Sequence, residues 1–230
     1  VPARTLHQAL KVGLGDIEMS ETVLYDYWRS SASYRLRIAL NLADIPYRAF
    51  AVDLVKGAQR APEHLARNPQ GLVPVLEIDG LQLTQSLAIL DYLDQTRDMG
   101  LLPKDPADRA KVQALAQSVA VDVHPVCNLG VVAYAASNST DPSQVREDWM
   151  KRFIRPGLQA FESLLQAFEQ QPYCVGQAAG LADICLMPQL YNARRWGVEF
   201  ADLPRVVAVE AACGEHPAFA AAHPDAVAPA

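Results

Sequence analysis

The residues of this chain best placed to do chemistry are the hydroxyls of Arg29-Ser30-Ser31-Ala32-Ser33-Tyr34. They stand where an alternating run, Val23-Leu24-Tyr25-Asp26-Tyr27, gives way to helical spacing at Leu36, Ala39, Leu40 and Ala43. A strand therefore hands over to a helix at the serines. The first N–H groups of a helix have no partner within it and carry partial positive charge, so such a junction favours an anion. If the anion is a thiolate, the junction lowers the thiol pKa, and a drop of two units is worth about 2.7 kcal/mol. Taken alone, the segment also admits a plainer role in which Ser30 only caps the helix.

The surrounding elements form a recognisable order. After the helix from Ser30 to Leu42, a second strand runs from Pro46 to Val52, and a short helix follows near Glu63 to Arg67. Asn68-Pro69-Gln70-Gly71 is a turn, and Val73 to Ile78 is a strand with proline near its start, where no central ladder bond is lost. Asp79-Gly80 turns the chain into the paired strand Leu81 to Thr84. Gln85 to Arg97 is helical, with Leu87, Leu90 and Leu93 on one side. A Gly/Pro/Asp stretch from Asp98 to Asp108 reads as a linker. Beyond it the spacing is helical over 106–136, 142–170, 181–195 and 204–213, and the Ala/Pro-rich tail, Ala218 to Ala230, is expected to be partly mobile. The fold class is a small α/β domain followed by an all-α helical domain.

Composition removes several functions. A net charge of −6 without a basic block argues against nucleic-acid binding, and no apolar run reaches the roughly 18 residues of a membrane span. Cys127, Cys174, Cys185 and Cys213 give no CxxC pair and no zinc spacing, so no metal is expected and the thiols read as reduced, as in the cytoplasm. Val1 to Glu18 carries no signal-peptide pattern; it reads as an N-terminal extension of tag-like composition before a natural start at Met19-Ser20-Glu21.

Against that frame, Ser30 to Leu40 is similar to the signature of the zeta class of the glutathione-transferase superfamily, usually written SSCSxRVRIAL. Val73-Pro74 followed by Gln85-Ser86 resembles the glutathione site of the same superfamily. Tyr173-Cys174-Val175-Gly176, the run Leu181 to Gln189, and Asn192-Ala193-Arg194-Arg195 match the class in the same order, so the resemblance extends from about Thr22 to the tail. It implies a thioredoxin-like glutathione-binding domain over 19–98 and an all-helical substrate domain over 106–230.

Carried over by position, the resemblance implies that Ser30 orients the glutathione sulfur, with Ser31 beside it. Val73 would precede a cis Pro74 and pair with the cysteinyl backbone, Gln85 and Ser86 would hold the γ-glutamyl carboxylate, and Gln70 is a candidate for the glycyl end. Gln85-Ser86 alone could equally be an ordinary helix start. Arg29 and Arg195 are candidates for a dicarboxylate substrate because arginine offers paired donors, although each could be a surface or ion-paired arginine. Arg195 matches the class arginine better than Arg194 does. His124, in a helix expected to bend at Pro125, could touch ligand or be structural.

Two departures stand out. Ala32 occupies the usual cysteine position, which argues against a mixed disulfide there, and Gly180 replaces the usual Ser or Thr three residues before Asp183, at a cost of a few tenths of a kcal/mol. The implied activity is glutathione-dependent cis–trans isomerisation of maleylacetoacetate to fumarylacetoacetate, in tyrosine and phenylalanine breakdown, with a small dicarboxylic keto acid as substrate. Alternatives are a transferase acting on α-haloacids, an isomerase of maleylpyruvate, or a non-catalytic glutathione-binding protein. The related isomerases of maleylpyruvate carry an arginine near Gly130, and its absence favours maleylacetoacetate. A homodimer is usual for the superfamily.

Overall fold

Side chains leave β1 (Val23–Asp26) alternately on two faces of the sheet. Leu24 enters the large core with Leu76 and Ile78, whereas Val23 and Tyr25 join Val52 and Val75 in a smaller cluster on the other side. The computed structural model describes residues 21–229, so the extension over 1–18 lies outside the described residues. β1 pairs in parallel with β2 (Arg48–Ala51) and antiparallel with β3 (Val75–Ile78), which pairs with β4 (Leu81–Thr84) to give the order β2-β1-β3-β4. A parallel pair needs a crossover, which α1 (Ser31–Leu42) provides. The antiparallel pair closes through Asp79 and Gly80, with φ of 54° and 75° as a tight hairpin turn requires.

The short helix α2 (Pro62–Arg67) precedes β3, and α3 (Ser86–Arg97) follows β4. β3 begins two residues later than the sequence suggests because the Val73-Pro74 bond is cis and Pro74 has no N–H to offer a ladder. α1 and α3 cover one face of the sheet through Leu36, Leu40, Ile89, Leu90 and Leu93.

The rest of the described chain is helical: α4 (Pro106–Gln117), α5 (Leu129–Ser137), α6 (Pro142–Leu165), α7 (Leu181–Arg195), α8 (Pro204–Glu215) and α9 (Pro217–Ala222). α7 packs on the far side of α1, and Ile184, Leu186 and Leu190 extend the same core, so the two layers share one interior. Asp183 reaches back to accept from the Gly180 N–H at 2.9 Å and from the Cys174 N–H at 2.8 Å, tying the helix start to the preceding loop, while no side-chain oxygen caps the first-turn N–H groups. Among the described residues no helix is long and apolar enough to cross a membrane. All four cysteines are free and buried.

Two expectations are corrected. The helix foreseen over 106–136 is not continuous. After α4 the chain widens into a π-helical stretch, Ser118–Val123, where the His124 N–H reaches Val119 O at 3.0 Å, and then turns before α5. Pro125 explains the break, since it has no N–H and its ring crowds the carbonyl four residues back. The tail is not loose: α9 packs on α1, Phe219 and Ala222 are buried, and a 3₁₀ turn follows at Pro224–Ala226. Arg37 donates from Nε to Ala222 O at 3.0 Å, and Asn41 donates to Ala218 O at 3.0 Å, bonds that alanine and proline content could not reveal.

Candidate functional site

A cleft of about 310 Å³ opens between the two layers. Three helix starts border it: Ala32 in the first turn of α1, Gln85 and Ser86 at α3, and Asn128 at α5. Among the described residues no Asp or Glu lines it, although the chain carries an excess of acid, and Arg35 is the lone charged wall residue. Helix N-termini and an arginine without a carboxylate partner give the cleft an electrostatic preference for an anion.

Ser30 is the N-cap of α1, and its Oγ accepts from the Ser33 N–H at 3.2 Å. The plainer reading of Ser30 is therefore true, and it does not exclude the other. The hydroxyl proton stays free to donate, and the N–H groups of Ser31 and Ala32 have no protein partner among the described residues. Ser31 is half-buried beside it. Ala32 puts a methyl, not a thiol, into the cleft. The remaining thiols cannot stand in for it. Burial pushes Cys127 and Cys185 up to about 11 and raises Cys174 and Cys213 as well, and none of the four lines the cleft.

Across from α1, Val73 presents an N–H and a C=O that no described residue satisfies, because the cis bond to Pro74 turns this stretch out of the ladder. Asn68 and His64 hold the preceding loop, donating from Nδ2 and pairing through Nε2 to Leu72 O, each at 2.9 Å. Gln85 takes φ of 69°, a strained value for a residue with a side chain, and swings its amide to Gln70 Oε1 at 2.7 Å. Gln70 thus meets the site through Gln85 and does not line the cleft. Ser86 Oγ accepts from Arg35 Nη1 at 2.9 Å.

His124 lines the opposite wall, on the turn after the π-helical stretch. Burial first and the Arg35 charge second push its pKa down to about 3, so the imidazole is neutral at physiological pH. Trp149 of α6 donates to Val126 O at 3.0 Å and fixes that turn.

Arg29 and Arg195 lie outside the cleft lining and near each other. Burial, then the neighbouring Arg29 charge, lowers the Arg195 pKa. Arg29 stacks on Trp28 at 4.7 Å and donates to Tyr27 Oη at 2.8 Å, and neither arginine is in an ion pair among the described residues. Arg194, by contrast, is committed to Glu210 through bonds of 2.7 and 2.5 Å. The sequence reading singled out neither Arg35 nor Asn68 nor Asn128. Arg35 carries no signal in the sequence: only the structure shows that every position of α1 from Ala32 to Leu40 is buried.

A four-stranded thioredoxin-like layer with a cis-proline edge, joined to a helical layer across an anion-binding cleft, is the architecture of glutathione transferases. Residues 20–95 match the family model for the glutathione S-transferase N-terminal domain. Over 91% of its length, the chain is 57% identical to the maleylacetoacetate isomerase of Rhizobium meliloti strain 1021, covering 99% of that protein. The holo structure of a maleylpyruvate isomerase, a bacterial zeta-class glutathione transferase, superposes with a TM-score of 0.86 at 39% identity, over 90% of this chain and 98% of that one. A Methylobacterium extorquens maleylacetoacetate isomerase with bound malonate and glutathione gives 0.84 at 39% identity, over 90% and 100%. The chain belongs to the glutathione transferase family, in its zeta class.

Proposed function

We propose that this protein catalyses the glutathione-dependent cis–trans isomerisation of maleylacetoacetate. The observation that carries the reading is the pair Arg29 and Arg195, two guanidiniums without a carboxylate partner, beside the helix start that Ser30 caps. Like charges are held together at a cost, and a dianionic substrate offsets it. The R. meliloti relative, named for this activity, supports the same substrate class.

The site fits glutathione on its own chemistry. The unsatisfied N–H and C=O of Val73 can pair with an extended peptide, and the starts of α1 and α3 can each take an anionic group. Bound there, glutathione would supply a thiolate that adds to the cis double bond, so that the resulting single bond can rotate, and that is expelled as the trans double bond re-forms. Ser30 donates to the sulfur and, with the Ser31 and Ala32 amides, keeps it ionised. Ser86 and the α3 start hold the γ-glutamyl end, and Gln85, its side chain turned to Gln70, borders it. Arg29 and Arg195 orient the substrate carboxylates, and neutral His124 closes the wall as a hydrogen-bonding group without charge.

The protein is read as a cytoplasmic homodimer. Exposed apolar side chains on β2 and its following loop, Phe50 and Val55, and on α5, Val131 and Tyr134, support an interface between copies. Sedimentation at two concentrations tests it, and a monomer throughout would refute it.

Maleylacetone, an analogue of maleylacetoacetate, followed by absorbance with and without glutathione, tests the activity. Turnover that requires glutathione without consuming it is expected. Faster turnover of maleylpyruvate would reassign the substrate, and glutathione-dependent release of chloride from dichloroacetate, without isomerisation of either maleyl compound, would make the protein a transferase acting on α-haloacids.

A further inference from the structure

Arg35 has no role in the reading above, yet it is the charged group of the cleft wall. It is 3% exposed, its Nη1 donates to Ser86 Oγ at 2.9 Å, and its Nε has no partner. No carboxylate pairs with it among the described residues. Two residues on, Arg37 is buried as deeply, but Asp26, Trp28 O and Ala222 O satisfy it. A buried guanidinium without a counter-charge is expensive, so a ligand must supply what the protein does not.

The place for that ligand is the start of α3. No side chain caps this helix, and Gln85 turns away to Gln70, so the first-turn N–H groups face outward without a protein acceptor. The bond from Arg35 occupies a lone pair of Ser86 Oγ and leaves its proton free to donate. We propose that Arg35 is a positioning residue for a carboxylate seated on the α3 N-terminus: from behind, it holds Ser86 as a donor and supplies the positive charge that the carboxylate neutralises. On the glutathione reading, which this rests on, the carboxylate is that of the γ-glutamyl residue.

Calorimetric titration of three ligands tests the assignment: glutathione, its γ-glutamyl α-amide, and its glycyl monoethyl ester. Arg35→Gln is expected to weaken glutathione and the ester about tenfold or more, as loss of a charge-assisted contact does. The amide, which has no charge to lose, should weaken about twofold or less. Arg35→Lys, which keeps the charge, should retain glutathione within about threefold. Ser86→Ala should show the same ligand ranking, and the double variant should lose no more than Arg35→Gln alone.

Equal losses for all three ligands, or additive losses in the double variant, would overturn the proposal, because a merely structural arginine gives that pattern. If Arg35→Gln does not fold, Ser86→Ala carries the ligand test, and an undiminished loss for the amide overturns the proposal. Failure of the wild type to bind glutathione would instead sink the functional reading itself.

Discussion

Arg195, at the end of α7, lies within electrostatic reach of Arg29 at the β1–α1 junction, and neither is ion-paired among the described residues. Arg194, next in the chain, is neutralised by Glu210. The pair divides the arginines by function. Arg195→Met should raise the KM for a dicarboxylate substrate roughly ten- to a hundredfold, the worth of hydrogen bonds to a charged group, while glutathione affinity stays unchanged. Arg194→Met should alter KM by less than about twofold, since an exposed ion pair contributes at most about 1 kcal/mol. Steady-state kinetics with both substrates varied separates the two, and equal effects would refute the division.

Ser30 has two duties that a pair of substitutions can part. Glycine caps a helix nearly as well as serine, whereas alanine costs about 1 kcal/mol. Ser30→Gly should therefore leave thermal stability within a few tenths of a kcal/mol, and Ser30→Ala should lower it. Both remove the hydroxyl donor, so both should cut turnover roughly tenfold or more and raise the pKa of enzyme-bound glutathione, read from thiolate absorbance against pH. Normal turnover in Ser30→Gly would leave Ser30 a cap and nothing else.

What the sequence could and could not disclose follows from the range of the interactions. The strand–helix junction at Ser30, the hairpin at Asp79-Gly80 and the cap box at Asp183 are local, set by residues within a few positions, and each is legible as a pattern. The tail was misread because Ala218 and Ala222 contribute backbone carbonyls to Asn41 and Arg37, more than 170 residues away in the chain. Composition says nothing about such partners. The π-helical stretch is hidden for a related reason: Pro125 announces a disturbance, but a missing N–H does not say whether the chain bends or widens, and the stretch also packs on the distant α6. Arg35 was passed over because a buried charge with no counter-ion is visible only once the cleft is seen.

The depressed pKa of His124 makes a prediction about stability. In the unfolded chain the imidazole titrates near 6.5, and in the folded protein it is held down to about 3. Between these values the unfolded state binds a proton that the folded state does not, so stability falls as pH drops through this window and is level above it. His124→Gln should flatten the part of the pH–stability profile that this residue contributes, measured by urea unfolding from neutral pH downward. An unchanged slope would place the titration elsewhere.

Gly157 in α6 supplies the last test, because it governs how closely α6 approaches the π-helical stretch. A Cβ built there would overlap Val123 Cγ2, so something must shift to admit it. Val123 is β-branched and buried, so a change of its χ1 is costly, and it immediately precedes His124 on the cleft wall. Gly157→Ala should destabilise the protein by about 1–3 kcal/mol through overpacking and should also disturb the cleft. Val123→Ala alone loses buried methyls and is destabilising too. In the double variant the new methyl has the vacated space to enter, so the combined loss should fall short of the sum of the two single losses. Thermal denaturation of the four proteins measures that coupling. Simple additivity would mean that the strain is relieved by movement of α6 and does not pass through Val123.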